Sequence, residues 1–453
     1  MKQSTAIRLG GGVFAAALAI GGITLFSQKA ACVEAVSKVS GSYTEVVQGY
    51  DWGPGVSKLI IKLNRSIAAK KGADLAQGAF TVETTKQATA SDGSITTTTE
   101  DRTVKAAYTS DENGKKKKGS SNYLTLELAC DPAVGNPFYY SPLTSFNDWS
   151  NPYTNRIRLK KGLSIKGGTI KARDFSIRTK PAKKILVGVD DTFSKGKSYS
   201  SNGQTLKYTS YPAAKTSKKK GVVVWLHGSG EGGTNVQIPL YGNKVTNLAG
   251  SSIQKDLNGC DILVVQCPTR WLSYKTGITT PDEENPLEKY QSPYTDTLKA
   301  LIEKYVSKNN ISPNRIYIGG ASNGGSMTMN MLLNYPDYFS AAFFASEGYA
   351  DRYITDEQIE SIKGIPMWFV YAEGDQTNDP LKTTKATYDR LMAAGAPNTH
   401  LSYYAEGVVD KSGKYKDDDG SPHRYSAHWS WVYLLNNDCR EGSVKLFKWL
   451  GKL

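Results

Sequence analysis

Arg315-Ile316-Tyr317-Ile318-Gly319 runs into Gly320-Ala321-Ser322-Asn323-Gly324, and Met327-Thr328-Met329-Asn330-Met331-Leu332-Leu333 follows closely. The first run has the apolar character of a buried strand and the last reads as the start of a helix. Ser322 therefore stands on a sharp strand-to-helix turn. Glycines two positions before and two after it let the two backbones pass close together, and such a turn leaves the serine hydroxyl exposed. A serine so placed is a candidate nucleophile, and it needs a base, an acid and oxyanion donors.

Upstream, Val222-Val223-Val224-Trp225-Leu226 is a continuous apolar strand that ends in His227-Gly228-Ser229-Gly230-Glu231-Gly232-Gly233. Small residues there let backbone N–H groups approach a developing oxyanion, so Ser229 and the residue after the nucleophile, Asn323, are the candidate donors. A phosphate cradle is a poorer reading: no Gly-Lys-Ser/Thr follows, and no acidic residue stands where a ribose would be read. Downstream, Pro366-Met367-Trp368-Phe369-Val370-Tyr371-Ala372 is another buried strand, with Asp375 just past its end as the candidate acid. Asp379 and Asp410 compete with it.

The chain holds four histidines. His227 belongs to the oxyanion loop and His400 precedes a strand, which leaves His423 and His428. His428 is preferred because Tyr425-Ser426-Ala427-His428-Trp429-Ser430-Trp431 leads into the apolar segment Val432-Tyr433-Leu434-Leu435, placing it on a loop that enters a helix. Nucleophile, acid and base then occur in the order Ser322, Asp375, His428, which is the chain order of an α/β-hydrolase triad. Asp261-Ile262-Leu263-Val264-Val265 is a further strand, and Leu298, Leu301, Ile302 and Tyr305 recur at helical spacing. Alternating strands and helices predict a mostly parallel sheet with helices on both faces, the α/β-hydrolase fold. Trp271 and Trp429 are candidates to line an acyl or aromatic pocket, with core packing the competing role for each. The connection from Leu272 to Tyr290 lacks periodicity and is expected to form a rim or lid.

From about Lys219 onward the chain resembles bacterial α/β-hydrolases of the predicted-peptidase and esterase type, relatives of the polyhydroxybutyrate-depolymerase and feruloyl-esterase group. The matching segments are Leu226–Gly233, Gln266-Cys267-Pro268-Thr269, Gly319–Gly325, Trp368-Phe369-Val370 with Asp375, and His428-Trp429-Ser430-Trp431. The resemblance implies a triad of Ser322, Asp375 and His428. Two departures concern the acid: the preceding strand more often ends in His where this chain has Tyr371, and a Val-Pro pair often follows where it has Asn378-Asp379.

Ahead of this region lie short alternating runs at Val46–Pro54, Lys58–Leu63, Phe80–Thr84, Val104–Tyr108 and Tyr123–Leu128, separated by Gly, Ser, Asn and Lys clusters. They predict an antiparallel β-sandwich. The segment resembles the immunoglobulin-like N-terminal domain found ahead of some esterases of this group, most of all at Gly49-Tyr50-Asp51-Trp52-Gly53-Pro54. The expected division is 1–32 signal peptide or membrane anchor, 33–200 immunoglobulin-like domain and 201–453 catalytic domain. The N-terminal domain is also a candidate for homo-oligomer contacts.

Lys2 and Arg8 precede an apolar stretch from Leu9 to Phe26, and Ala30-Ala31-Cys32 follows. This reads as an export signal, so the protein is expected outside the cytoplasm, secreted or held at the cell surface. Its apolar stretch is long for a cleaved signal and marginal for a membrane span, so an uncleaved anchor is the alternative expectation. Lys29 occupies the position where a lipoprotein signal before Cys32 wants an aliphatic residue. Lys and Arg total 56 against 42 Asp and Glu, a formal charge of +14. The excess sits in clusters such as Lys115–Lys118, and no nucleic-acid motif accompanies it, so nucleic acid is not an expected partner. Five cysteines define no disulfide framework, although Cys267 and Cys439 could pair. No metal-ligand spacing or dinucleotide fingerprint occurs, so no metal and no cofactor is expected. Lys416–Gly420 lacks the ligand spacing of a calcium loop. The expected activity is serine-dependent hydrolysis of small-molecule or polysaccharide-linked carboxylic esters. The alternatives are peptidase activity on the same triad and a non-catalytic surface protein on a hydrolase scaffold.

Overall fold

The computed structural model describes residues 38–214, 220–272 and 292–453. The export segment and, after Leu272, the expected rim from Leu272 to Tyr290 lie outside the described residues. The described residues form one compact unit.

The C-terminal sheet has eight strands: β1 Lys197–Ser201, β2 Gln204–Tyr211, β3 Lys220–Leu226, β4 Cys260–Gln266, β5 Ile311–Ala321, β6 Ala341–Ala345, β7 Met367–Ala372 and β8 Thr399–Tyr404. Their order across the sheet is β1-β2-β4-β3-β5-β6-β7-β8. β2 runs antiparallel to both neighbours, and every pair from β4 to β8 is parallel. Parallel strands are buried on both faces, which is why their sequences read as unbroken apolar runs. In β3 the side chains alternate between two cores, with Val222, Val224 and Leu226 on one face and Val223 and Trp225 on the other. Each such fully buried side chain contributes ~1.5–3 kcal/mol. A one-residue slip would exchange the two faces, so the register is set by the packing.

The N-terminal part is strand-rich, as expected. One sheet takes Phe175–Ile177, Val39–Tyr50, Gly53–Ala68, Ser120–Leu128 and Val104–Ser110 in that order; a second takes Ile95–Arg102, Phe80–Thr89 and Tyr153–Leu159. The run at 46–54 is not one strand. It closes a hairpin, because Gly53 has φ +119° and turns the chain at Asp51-Trp52. A small additional hairpin, Phe138–Ser141 with Phe146–Trp149, stands apart from both sheets. The two halves share a core: Trp149 packs edge-on to Tyr241 at 6.4 Å, and the Tyr241 hydroxyl donates to the Val187 carbonyl at 2.8 Å. Lys244 Nζ also reaches Asp51 Oδ1 at 3.1 Å.

Cys130, Cys260, Cys267 and Cys439 are all free and buried. Cys267 and Cys439 sit in the separate cores on the two faces of the sheet, so this pair does not form a disulfide.

Candidate active site

Ser322 follows β5 and precedes the helix Asn323–Asn334, with φ 55° and ψ −119°. A non-glycine residue rarely adopts this conformation, and the crowding around it explains why it persists. A Cβ at Gly320 would meet the backbone of Gly324 and the Leu226 carbonyl, and one at Gly324 would overlap that same carbonyl. Any side chain at either position would push the helix off the sheet.

His428 Nε2 lies 2.9 Å from Ser322 Oγ, and His428 Nδ1 lies 2.8 Å from Asp375 Oδ2. The other carboxylate oxygen, Asp375 Oδ1, accepts the backbone N–H groups of Thr377 at 2.9 Å and Asn378 at 3.0 Å. The carboxylate is thereby fixed as an acceptor, which puts the imidazole proton on Nδ1 and leaves Nε2 to accept from the serine. All three groups are buried, at 9% exposure for Ser322, 5% for Asp375 and 8% for His428. Of the competing acids, Asp379 is half exposed beside Lys382, and Asp410 accepts from the Ser412 hydroxyl in its own loop. His423 pairs with Asp417. None of these three touches Ser322 or His428.

Asn323 begins the helix, so its backbone N–H has no intrahelical acceptor. Its side chain is occupied elsewhere: Oδ1 accepts from Trp271 N at 2.8 Å and Nδ2 donates to the Leu272 carbonyl at 3.0 Å. In the loop after β3, Gly228 N donates to Glu231 Oε2 at 3.0 Å and Glu231 N to the Gly228 carbonyl at 3.1 Å. These bonds leave the Ser229 N–H without an acceptor among the described residues, beside the cavity that holds Ser322.

Trp271 does not line this cavity. It is fully buried, edge-on to Tyr294 at 6.0 Å, and its indole N–H donates to the His227 carbonyl at 3.1 Å. The turn after β4 folds it inward, where it supports the loop after β3 from behind. Trp429 does line the cavity, together with Trp431.

Two buried ionisable groups brace the loop. Burial pushes the His227 imidazole down to about 4, so it is neutral near pH 7. Its Nδ1–H donates to the Gly228 carbonyl at 2.7 Å while Nε2 accepts from Cys267 N at 3.2 Å. Burial pushes the Glu231 carboxyl up to about 8. It accepts from both Gly228 N and Asn243 Nδ2, at 3.0 Å each. The bracing role of Glu231 was not legible in the sequence, because its partners Asn243 and Gly242 arrive from a separate segment. Also unforeseen is the share of the N-terminal domain: Trp52, Gly53, Pro54, Asn136, Phe138 and Asn147 line the same cavity. The only local signal was the Gly49–Pro54 motif, whose turn delivers Trp52.

Residues 42–172 match the esterase Ig-like N-terminal domain, and residues 286–394 match the prolyl oligopeptidase family. No curated protein matches the chain. A thermostable esterase of solved structure is 21% identical, with a TM-score of 0.70, over 91% of this chain and 99% of that one. A ferulic acid esterase from Anaeromyces mucronatus is 14% identical, with a TM-score of 0.38, over 55% of this chain and 91% of that one. An acetyl xylan esterase from Paenibacillus sp. R4 is 15% identical, with a TM-score of 0.32, over 47% of this chain and 77% of that one. The chain thus joins an esterase-type immunoglobulin-like N-terminal domain to a C-terminal domain of the α/β-hydrolase fold.

Proposed function

We propose that the protein is a serine esterase that works through an acyl-enzyme. The observation that carries this reading is the hydrogen-bonded line from Ser322 Oγ through His428 to Asp375, with the Ser229 N–H, which has no acceptor among the described residues, beside the same cavity. In this reading His428 Nε2 takes the proton from Ser322 as its oxygen attacks the ester carbonyl. The Ser229 and Asn323 N–H groups receive the oxyanion, and the imidazolium returns its proton to the departing alkoxide. Water then attacks the acyl-enzyme by the same route and regenerates the serine. Export of the enzyme, from its N-terminal segment, is part of the same proposal.

The match of residues 286–394 to the prolyl oligopeptidase family favours one second reading, a peptidase using the same residues. An amide leaves only if the imidazolium is aimed accurately at the nitrogen of a substrate held in register. The test compares kcat/KM for an ester and an amide with the same acyl group, in wild type and Ser322→Ala. The ester is expected to lead by orders of magnitude, and Ser322→Ala to abolish turnover while thermal unfolding stays nearly unchanged. An amide value equal to or above the ester value overturns the esterase reading, and turnover surviving in Ser322→Ala overturns the nucleophile.

A further inference from the structure

The cavity beside Ser322 measures about 320 Å³. That is near the lower end of small-molecule sites, ~300–1,000 Å³. One wall comes from the N-terminal domain, in two segments held rigidly. In the first, Trp52 stacks on Tyr50 at 4.8 Å and meets Tyr415 of the catalytic domain edge-on at 6.4 Å. In the second, the hairpin Phe138–Trp149 is pinned by Phe138 against Trp149 at 4.6 Å, and Phe146 packs where a Cβ on Gly232 would stand. This hairpin brings Asn147 Nδ2 to 3.6 Å from the position of a Cβ on Gly230, inside the oxyanion loop.

We propose that this wall is a subsite for a neutral, hydroxyl-bearing ring of the substrate, with Asn147 and Asn136 as its hydrogen-bonding residues and Trp52 as its apolar surface. The proposal rests on the esterase reading and names the substrate class of that same site.

Three observations carry it. First, the amides have capacity to spare: the Asn147 side chain has no hydrogen bond to a described residue, and the Asn136 side chain uses only Oδ1, accepting from Phe138 N at 2.8 Å. Asn243, also at the cavity, spends Nδ2 on Glu231 and keeps its oxygen. An amide offers both donors and acceptors, as a hydroxyl requires. Second, aromatic side chains line the cavity and offer apolar contact to the C–H surface of a ring: Trp52, Phe138, Trp429 and Trp431. Third, among the described residues no Lys or Arg lines the cavity. Among the described residues, the only ionisable groups lining it are Glu231 and His428, both already bonded within the protein. A carboxylate or phosphate substituent would find no counter-charge among these residues, whereas a neutral sugar or polyol ester needs none.

The test uses the full-length protein with two acetates, an acetylated methyl glycoside and cyclohexyl acetate. They share the acyl group and differ in ring hydroxyls. Wild type is expected to prefer the glycoside in kcat/KM. In Asn147→Leu, and in Asn147→Ala as a second variant, KM for the glycoside should rise about tenfold, the effect of an unpaired hydroxyl in a built site. Cyclohexyl acetate should lose at least about fivefold less than the glycoside, so that the glycoside preference collapses, and thermal unfolding near wild type shows that the variant is folded. Equal losses on both acetates, an unchanged glycoside preference, or a wild type that cleaves cyclohexyl acetate without favouring the glycoside would each overturn the subsite while leaving the esterase reading intact. A wild type inert toward both acetates and toward p-nitrophenyl acetate overturns the esterase reading and the subsite with it.

Discussion

Replacing Asp375 with Asn should disable the protein through a single proton. The two backbone donors at Thr377 and Asn378 both point at Oδ1, at 2.9 and 3.0 Å. They select the amide oxygen for that side, so the amide nitrogen of the variant must face His428 Nδ1, where Oδ2 now stands at 2.8 Å. That nitrogen can only donate. His428 Nδ1 must then accept, its proton moves to Nε2, and Nε2 can no longer take the proton of Ser322 Oγ. A base held in the wrong tautomer costs about 10⁴ in kcat. At 1.36 kcal/mol per tenfold this is ~5.4 kcal/mol of transition-state stabilisation. Stability should move by no more than about 1 kcal/mol, since every group keeps a partner. The assay is kcat on p-nitrophenyl acetate near pH 7.5, with thermal unfolding in parallel. Asp379→Asn and Asp410→Asn serve as controls and should stay within about twofold, because Asp379 pairs with Lys382 and Asp410 with Ser412. Activity of Asp375→Asn within tenfold of wild type, or a larger loss in either control, would refute the assignment of the acid.

Glu231→Gln imitates the protonated carboxyl. Because the folded-state value of Glu231 is raised from 4.5 to about 8, its protonated form is favoured by folding and the associated stability is lost as pH rises through that window. Wild type should therefore lose stability relative to Glu231→Gln by up to ~1.4 kcal/mol per pH unit between about 4.5 and about 8, read from denaturant unfolding at several pH values; a flat difference would show that the carboxyl is not held protonated. Gly324→Ala should destabilise by about 1–3 kcal/mol or more and lower activity, since its Cβ would overlap the Leu226 carbonyl; a variant with wild-type melting and turnover would mean the elbow is looser than its contacts indicate.

Much of the catalytic half was legible locally. The strands Val222–Leu226 and Met367–Ala372 are apolar without interruption because both faces of a parallel sheet are covered, and such runs announce themselves without knowledge of their neighbours. Gly320 and Gly324 carry the elbow in their spacing, since only glycine tolerates the approach of helix and strand. With four histidines in the chain, the base could be narrowed by chain order alone.

Other features depend on contacts between residues far apart in the chain. Trp271 is as apolar as Trp429, and nothing in either neighbourhood says which turns inward; the amide of Asn323, 52 residues on, binds its backbone and draws it into the core. Asp410 and Asp375 are both buried aspartates in loops, separated only by which of them meets His428. Glu231 becomes a buried brace because Asn243 and Gly242 enclose it. The N-terminal domain reads as a sandwich with no chemistry of its own, yet its turn at Trp52 and its hairpin at Asn147 complete the cavity. Periodicity records how a segment meets a sheet or a core, because that relation repeats along the chain; a site assembled from single residues of remote segments leaves no repeat, and only packing brings them together.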